Sequence, residues 1–126
     1  MKAIEEKLDY TFRDQELLVN ALTHSSYANE NRGHSCESNE RLEFLGDSVL
    51  GFVVADALYR RESELPEGRM TRVRAQLVCE DSLRRVAAEL GLGDYIRLGR
   101  GEEHTGGRKR TSILADAVEA LIAAMY

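Results

Sequence analysis

From Ile113 to Tyr126 the chain is apolar at every position except Asp116 and Glu119. Thr111 or Ser112 is positioned to cap a helix over this stretch. At i and i+3 the two acids share one face of it. Ionised groups in so apolar a helix are costly unless something satisfies them. A second pattern, opened by Ser38 and running roughly to Arg61, predicts a long helix with Leu42, Leu45, Val49, Phe52, Val53 and Leu58 on its apolar side. It carries Glu40, Glu43 and Asp47 at i, i+3 and i+7, within a narrow arc of one face. Two carboxylates ~4 Å apart repel by about 4 kcal/mol at an effective dielectric near 20. Such a stripe persists either by facing water or by binding a cation. If the two helices pack together, Glu43, Asp47, Asp116 and Glu119 form an all-oxygen site. That donor set suits Mg2+ or Mn2+, not zinc or copper. The chain has 22 acidic residues, so pairs at helical spacing also arise by chance, and a solvated helix face is the competing reading.

Helical periodicity dominates elsewhere too, and strict strand alternation is scarce, so the expected class is all-α. Asp14 is placed to cap a helix with Leu17, Leu18, Ala21 and Leu22 at three- and four-residue steps. The polar stretch from Tyr27 to Ser38 reads as a loop. Pro66-Glu67-Gly68 breaks the chain before a helix over Met70 to Cys79. Asp81 or Ser82 can cap the next helix, which ends at Gly91, a residue that accepts the left-handed conformation. Gly99 to Arg110 holds four glycines and the run Arg108-Lys109-Arg110, and reads as a mobile basic loop.

Composition narrows the setting. At 126 residues the chain suits one domain. Cys36 and Cys79 lack CxxC spacing, which disfavours a disulfide scaffold or a structural zinc site and fits a reducing cytoplasm. Met1 to Leu8 is too charged for a signal peptide. The longest apolar stretch, Phe44 to Tyr59, is interrupted by Asp47 and Asp56 and is too short to span a bilayer, so no membrane partner is expected. The net charge of −5 argues against a nucleic-acid partner, unless several acids surround divalent cations. The last helical pattern stops without a C-cap, as expected of a piece of a longer protein.

Local sequence adds a resemblance. The string Asn39-Glu40-Arg41-Leu42-Glu43-Phe44-Leu45-Gly46-Asp47-Ser48 resembles the signature of the ribonuclease III family, the double-strand-specific RNA endonucleases. Three further blocks are similar to family segments in the same order. They are Ala21 to Tyr27, then Glu67-Gly68 with Met70-Thr71 and Arg74-Ala75, and then Gly106-Gly107 followed by Ser112 to Leu121. The resemblance covers nearly the whole chain. It implies the family's helical nuclease domain over residues 1–126, without the double-stranded-RNA-binding domain that usually follows. It implies that Glu43, Asp47, Asp116 and Glu119 bind metal, with Asp47 and Glu119 catalytic, and that Glu40 and Glu67 are supporting acids. Val118 stands where many members carry a bulkier aromatic residue, away from the chemistry.

The implied activity is Mg2+-dependent hydrolysis of double-stranded RNA, with Mn2+ as a substitute. Its products carry 5′ phosphates, 3′ hydroxyls and short 3′ overhangs, and its substrates are ribosomal and other structured RNA precursors. The resemblance also implies a two-fold homodimer. Phe44, which sits beside the carboxylate stripe on a helical wheel, is then the aromatic anchor; otherwise it is a core aromatic at the edge of the packing. Arg69, Arg72, Arg74, Arg108, Lys109 and Arg110 are the candidate RNA contacts, against the ordinary role of charge runs as solvated faces. Three alternatives compete. A non-catalytic, double-stranded-RNA-binding or ribosome-associated relative would typically have lost metal ligands, and none is lost here. Histidine catalysis has His24, His34 and His104 available but nothing pairing them. A di-iron bundle needs Glu-x-x-His pairs, which the chain lacks.

Overall fold

The computed structural model describes residues 2–34 and 36–126; Ser35, within the expected polar loop, and Met1 lie outside the described residues. Among the described residues eight α-helices follow in order: α1 (Lys2–Leu8), α2 (Gln15–Ala21), α3 (Ser25–Glu30), α4 (Glu40–Arg61), α5 (Glu67–Val78), α6 (Glu80–Leu90), α7 (Arg100–His104) and α8 (Thr111–Met125). Single 3-10 turns occupy Arg32–His34, Leu92–Asp94 and Gly107–Lys109. Among the described residues there is no strand, only an isolated bridge between Thr23 and Arg97. The expected all-α class is what the chain adopts.

Because α8 is apolar nearly all round, it has to be surrounded. It lies at the centre, packed against α4, α6 and α2, and buries Ile113, Ala115, Ala117, Val118, Ala120, Leu121, Ala123 and Ala124. Ile4, Leu18, Leu22, Leu83, Ala87, Leu92 and Ile96 complete the core around it. The alanines let neighbouring backbones come close, and Gly46 of α4 lies directly on the backbone of α8. A Cβ there would overlap the carbonyl oxygen of Glu119 and lie 2.5 Å from its carbonyl carbon.

Several local expectations hold. The Asp14 carboxylate accepts the Glu16 N–H at 3.0 Å to start α2, and Gly91 ends α6 at φ 62°. Others are corrected. The expected loop at Tyr27–Ser38 contains the end of α3 and a 3-10 turn, and the segment Gly99–Arg110 is ordered into α7 and another 3-10 turn. These elements run to one turn or a little more, too short to show a helical period. Starting positions shift as well. Helix α4 begins at Glu40, and α5 begins at Glu67, directly after Pro66. Cys79 occupies the cap position of α6, and α8 begins at Thr111. Leu17 is exposed, as are Leu45, Phe52 and Val53, which were expected on the apolar side of α4. That helix is apolar on two sides: Leu42 and Leu50 meet the core, while the other set faces out. No helix among the described residues is long and apolar enough to cross a membrane.

Candidate metal centre

The close approach at Gly46 places the acidic face of α4 directly on that of α8. Glu43 stands one turn before this contact and Asp47 immediately after it; Glu119 supplies the opposing backbone. Glu43, Asp116 and Glu119 each bring a carboxylate oxygen within 4.8 Å of the other two. Asp47 is more exposed than these three and is not one of the gathered carboxylates, though it lies near enough to act on Glu119. Of the four acids expected from helical spacing, Glu43, Asp116 and Glu119 thus meet at one crossing, and Asp47 lies outside that group.

Glu119 is the most buried acid, at 9% exposure. Burial, reinforced by the Asp47 hydrogen bond and by the charges of Asp47, Asp116 and Glu43, pushes its carboxyl up to about 8. The Glu43 carboxyl is pushed up to about 7, again chiefly by burial, then by the charge of Asp116 and the hydrogen bond with it, with smaller effects of Glu40 and Asp47. Burial also raises Asp116; the hydrogen bond from Glu43 opposes the rise, as does nearby His24, while the charge of Glu80 adds to it. At neutral pH the metal-free group therefore holds protons that soften its own repulsion, and a divalent cation would replace them. The residues fit such an ion: every donor is a hard carboxylate oxygen, and the charge gathered has no lysine or arginine paired with it among the described residues.

Glu40, one turn before Glu43, is exposed and adds to the negative field. Glu67 starts α5 at a groove of about 280 Å³ shared with Ala55, Leu58, Tyr59, Met70, Thr71 and Arg74, and is not one of the three gathered carboxylates. Phe44 is 80% exposed. With Leu45, Phe52, Val53 and Tyr59 it belongs to an exposed apolar set along α4.

Arg69, Arg72 and Arg74 are exposed on α5 and, like Lys109, form no ion pair among the described residues. Arg108 is engaged instead with the preceding turn and with its own loop. Its Nη1 donates to the carbonyls of Gly93 at 2.8 Å and Ile96 at 2.7 Å, and its Nε pairs with Glu103 at 2.8 Å. Arg110 pairs with Glu102 at 2.7 Å. His24 caps α3, its Nδ1 taken by the N–H and hydroxyl of Ser26, and His104 is exposed on α7. Sequence reasoning missed Glu80 and the proximity of His24 to Asp116. Both arise from tertiary packing and leave no spacing signal.

Comparison with known proteins identifies the family and the fold. Residues 14–126 match the family model described as ribonuclease-III-like. The chain is 54% identical over 123 residues to ribonuclease 3 of Caldanaerobacter subterraneus subsp. tengcongensis, covering 98% of this chain and 54% of that protein. It is 52% identical over 126 residues to ribonuclease 3 of Oceanobacillus iheyensis, covering 100% and 55%. The chain thus spans about half the length of the curated relatives it matches. A solved nuclease domain of ribonuclease III from Campylobacter jejuni superposes with a TM-score of 0.89 at 43% identity, covering 98% of this chain and 82% of that one. That structure is described as showing flexibility in a region involved in dimer formation. With the family model matched over all but the first 13 residues and relatives above 50% identity along the whole domain, the chain belongs to the ribonuclease-III-like family.

Proposed function

We propose that this chain is the catalytic core of a divalent-metal-dependent endoribonuclease. It hydrolyses phosphodiester bonds of double-stranded RNA to leave 5′-phosphate and 3′-hydroxyl ends with short 3′ overhangs. The observation that carries this reading is the meeting of Glu43, Asp116 and Glu119 within 4.8 Å at the crossing of α4 and α8. When bound there, a divalent ion supplies positive charge that polarises phosphate oxygens and acidifies water. Glu43, Asp47, Asp116 and Glu119 would hold Mg2+, or Mn2+ in its place, with Asp47 and Glu119 as the catalytic pair and Glu40 and Glu67 in support.

The same helix supports a homodimer. The exposed apolar set that includes Phe44 runs along it, and covering that set with a second copy gives two sites on one assembly, one for each strand. Arg69, Arg72, Arg74 and Lys109 are the cations this reading favours for RNA phosphates, since A-form RNA is recognised mainly by shape, phosphates and 2′ hydroxyls. Arg108 and Arg110 instead order the loop that presents Lys109. Ribosomal and messenger RNA precursors in the cytoplasm are the proposed substrates.

The test is to incubate a long RNA duplex and its separate strands with wild type and Glu119→Gln, with Mg2+ and with EDTA. Mg2+-dependent cutting of the duplex alone, lost in the variant, is expected. Cutting that survives EDTA points to histidine chemistry, and full cutting by Glu119→Gln at saturating Mg2+ overturns the assignment.

A further inference from the structure

Asn39 precedes α4, at a position where asparagine ordinarily caps the helix with its own side chain. Here it makes no such bond. Its amide is turned inward at 4% exposure and donates to the Ala21 carbonyl at 3.0 Å. Its N–H donates to the Thr23 carbonyl at 2.8 Å, and its own carbonyl accepts the N–H of Glu43 at 2.8 Å. A second asparagine works from the other side: Asn20 Nδ2 donates to the carbonyls of Glu37 and Ser38, each at 2.9 Å. Thr23, fully buried, is in turn held by its hydroxyl donating to the Val19 carbonyl at 2.7 Å and accepting from Arg97 Nε and Nη2 at 3.0 and 2.8 Å. The start of α4 is thus clasped to the end of α2 by two asparagine side chains.

We propose that Asn39 is a positioning residue for the metal centre, setting the roll of α4 so that Glu43 meets Asp116 and Glu119. The inference rests on the metal-binding reading above. Glu43 lies four residues after this clasp and three before Gly46, so it sits between two fixed points of the helix. The Gly46 contact limits how far α4 stands from α8, and Leu42 and Leu50 hold its inner face against the core, but apolar packing is non-directional and fixes the roll of a helix less sharply than a hydrogen bond does. A roll of about 10° moves a group about 6 Å from that axis by about 1 Å. That is twice the tolerance of about 0.5 Å within which a metal site must be held. The buried Asn39 amide, spent on α2 instead of on capping α4, adds a directional restraint on the roll at the end of the helix nearest Glu43.

The test is titration of Mn2+ into wild type, Asn39→Ala and Asn39→Asp, read by Mn2+ electron paramagnetic resonance, with thermal melting alongside. Asn39→Asp keeps the shape and turns an acceptor toward the Ala21 carbonyl. Both variants are expected to bind Mn2+ about 10- to 100-fold more weakly while folded, as for other residues that orient metal ligands. Raised Mn2+ should then restore duplex cutting, with the rate at saturating metal near that of wild type. If neither variant folds, Asn20→Ala, which removes the outer half of the clasp, should shift the Mn2+ affinity in the same direction. A folded variant with lower melting temperature but wild-type Mn2+ affinity overturns the positioning role. Wild type that binds no Mn2+ overturns instead the metal-binding reading on which it rests.

Discussion

The contact between Gly46 and Glu119 can be tested with one methyl group. In Gly46→Ala the new Cβ would lie 2.5 Å from the Glu119 carbonyl carbon. Comfortable carbon contacts lie at about 3.5–4.0 Å, so α4 and α8 must part by about 1 Å or more. The opposing atoms are backbone, and no rotamer change relieves them. Overpacking of this severity costs up to about 3 kcal/mol. The gain in helix propensity from glycine to alanine returns about 1 kcal/mol, leaving a net loss of about 2 kcal/mol. For a domain of this size that lowers the melting temperature by roughly 6–10 °C. Gly51 lies on the same helix and has nothing within 4 Å of an added Cβ. Gly51→Ala should therefore be stabilising by up to about 1 kcal/mol, from propensity alone. Circular dichroism melts of the two variants should move in opposite directions. Equal shifts, or a Gly46→Ala variant as stable as wild type, would falsify the claim that this contact sets the spacing of the acidic helices.

The raised carboxyls make metal-free stability depend on pH. Glu43 and Glu119 stand at about 7 and about 8 against an ordinary 4.5. The folded state therefore binds more protons than the unfolded chain, and this contribution is fully present below 4.5 and lost as pH rises through 7 to 8. Melting in EDTA should fall between pH 5.5 and pH 8.5, and Mg2+ should recover most of the loss at the alkaline end; a flat profile contradicts the proton-sharing group. Phe44→Ala should shift sedimentation from dimer toward monomer, weakening association by roughly 30-fold or more if Phe44 is an anchor of the usual strength. A variant that stays fully dimeric at micromolar concentration removes that role. Arg108→Ala should cost about 1–3 kcal/mol in a denaturant melt, because two carbonyls and the Glu103 carboxylate lose their partner. Lys109→Ala should leave stability unchanged and reduce the salt dependence of RNA binding; the reverse ranking contradicts the division of labour in that loop.

Much of the site was legible because it rests on helical spacing. Asp116 and Glu119 stand out against an apolar background, and Glu43 and Asp47 lie on one arc, so only the packing of two helices was left to find. What was not legible is instructive. The residues Leu45, Phe52 and Val53 carry the same apolar signal as Leu42 and Leu50, and periodicity cannot separate a face that meets the core from one that meets solvent or a partner. The run at Arg108 reads as free positive charge until its carbonyl partners, 12 and 15 residues away in sequence, come into place. Asn39 was visible only as part of the family-like string, because its amide acts on α2, 18 residues earlier.

The most direct measurement is anomalous X-ray scattering from crystals of the protein soaked in Mn2+. A peak is expected between α4 and α8, bounded by the carboxylates of Glu43, Asp116 and Glu119, with Asp47 drawn toward it, and it should vanish in Glu119→Gln. An empty crossing in a crystal saturated with Mn2+, or a peak that appears only elsewhere on the surface, contradicts the shared-cation centre.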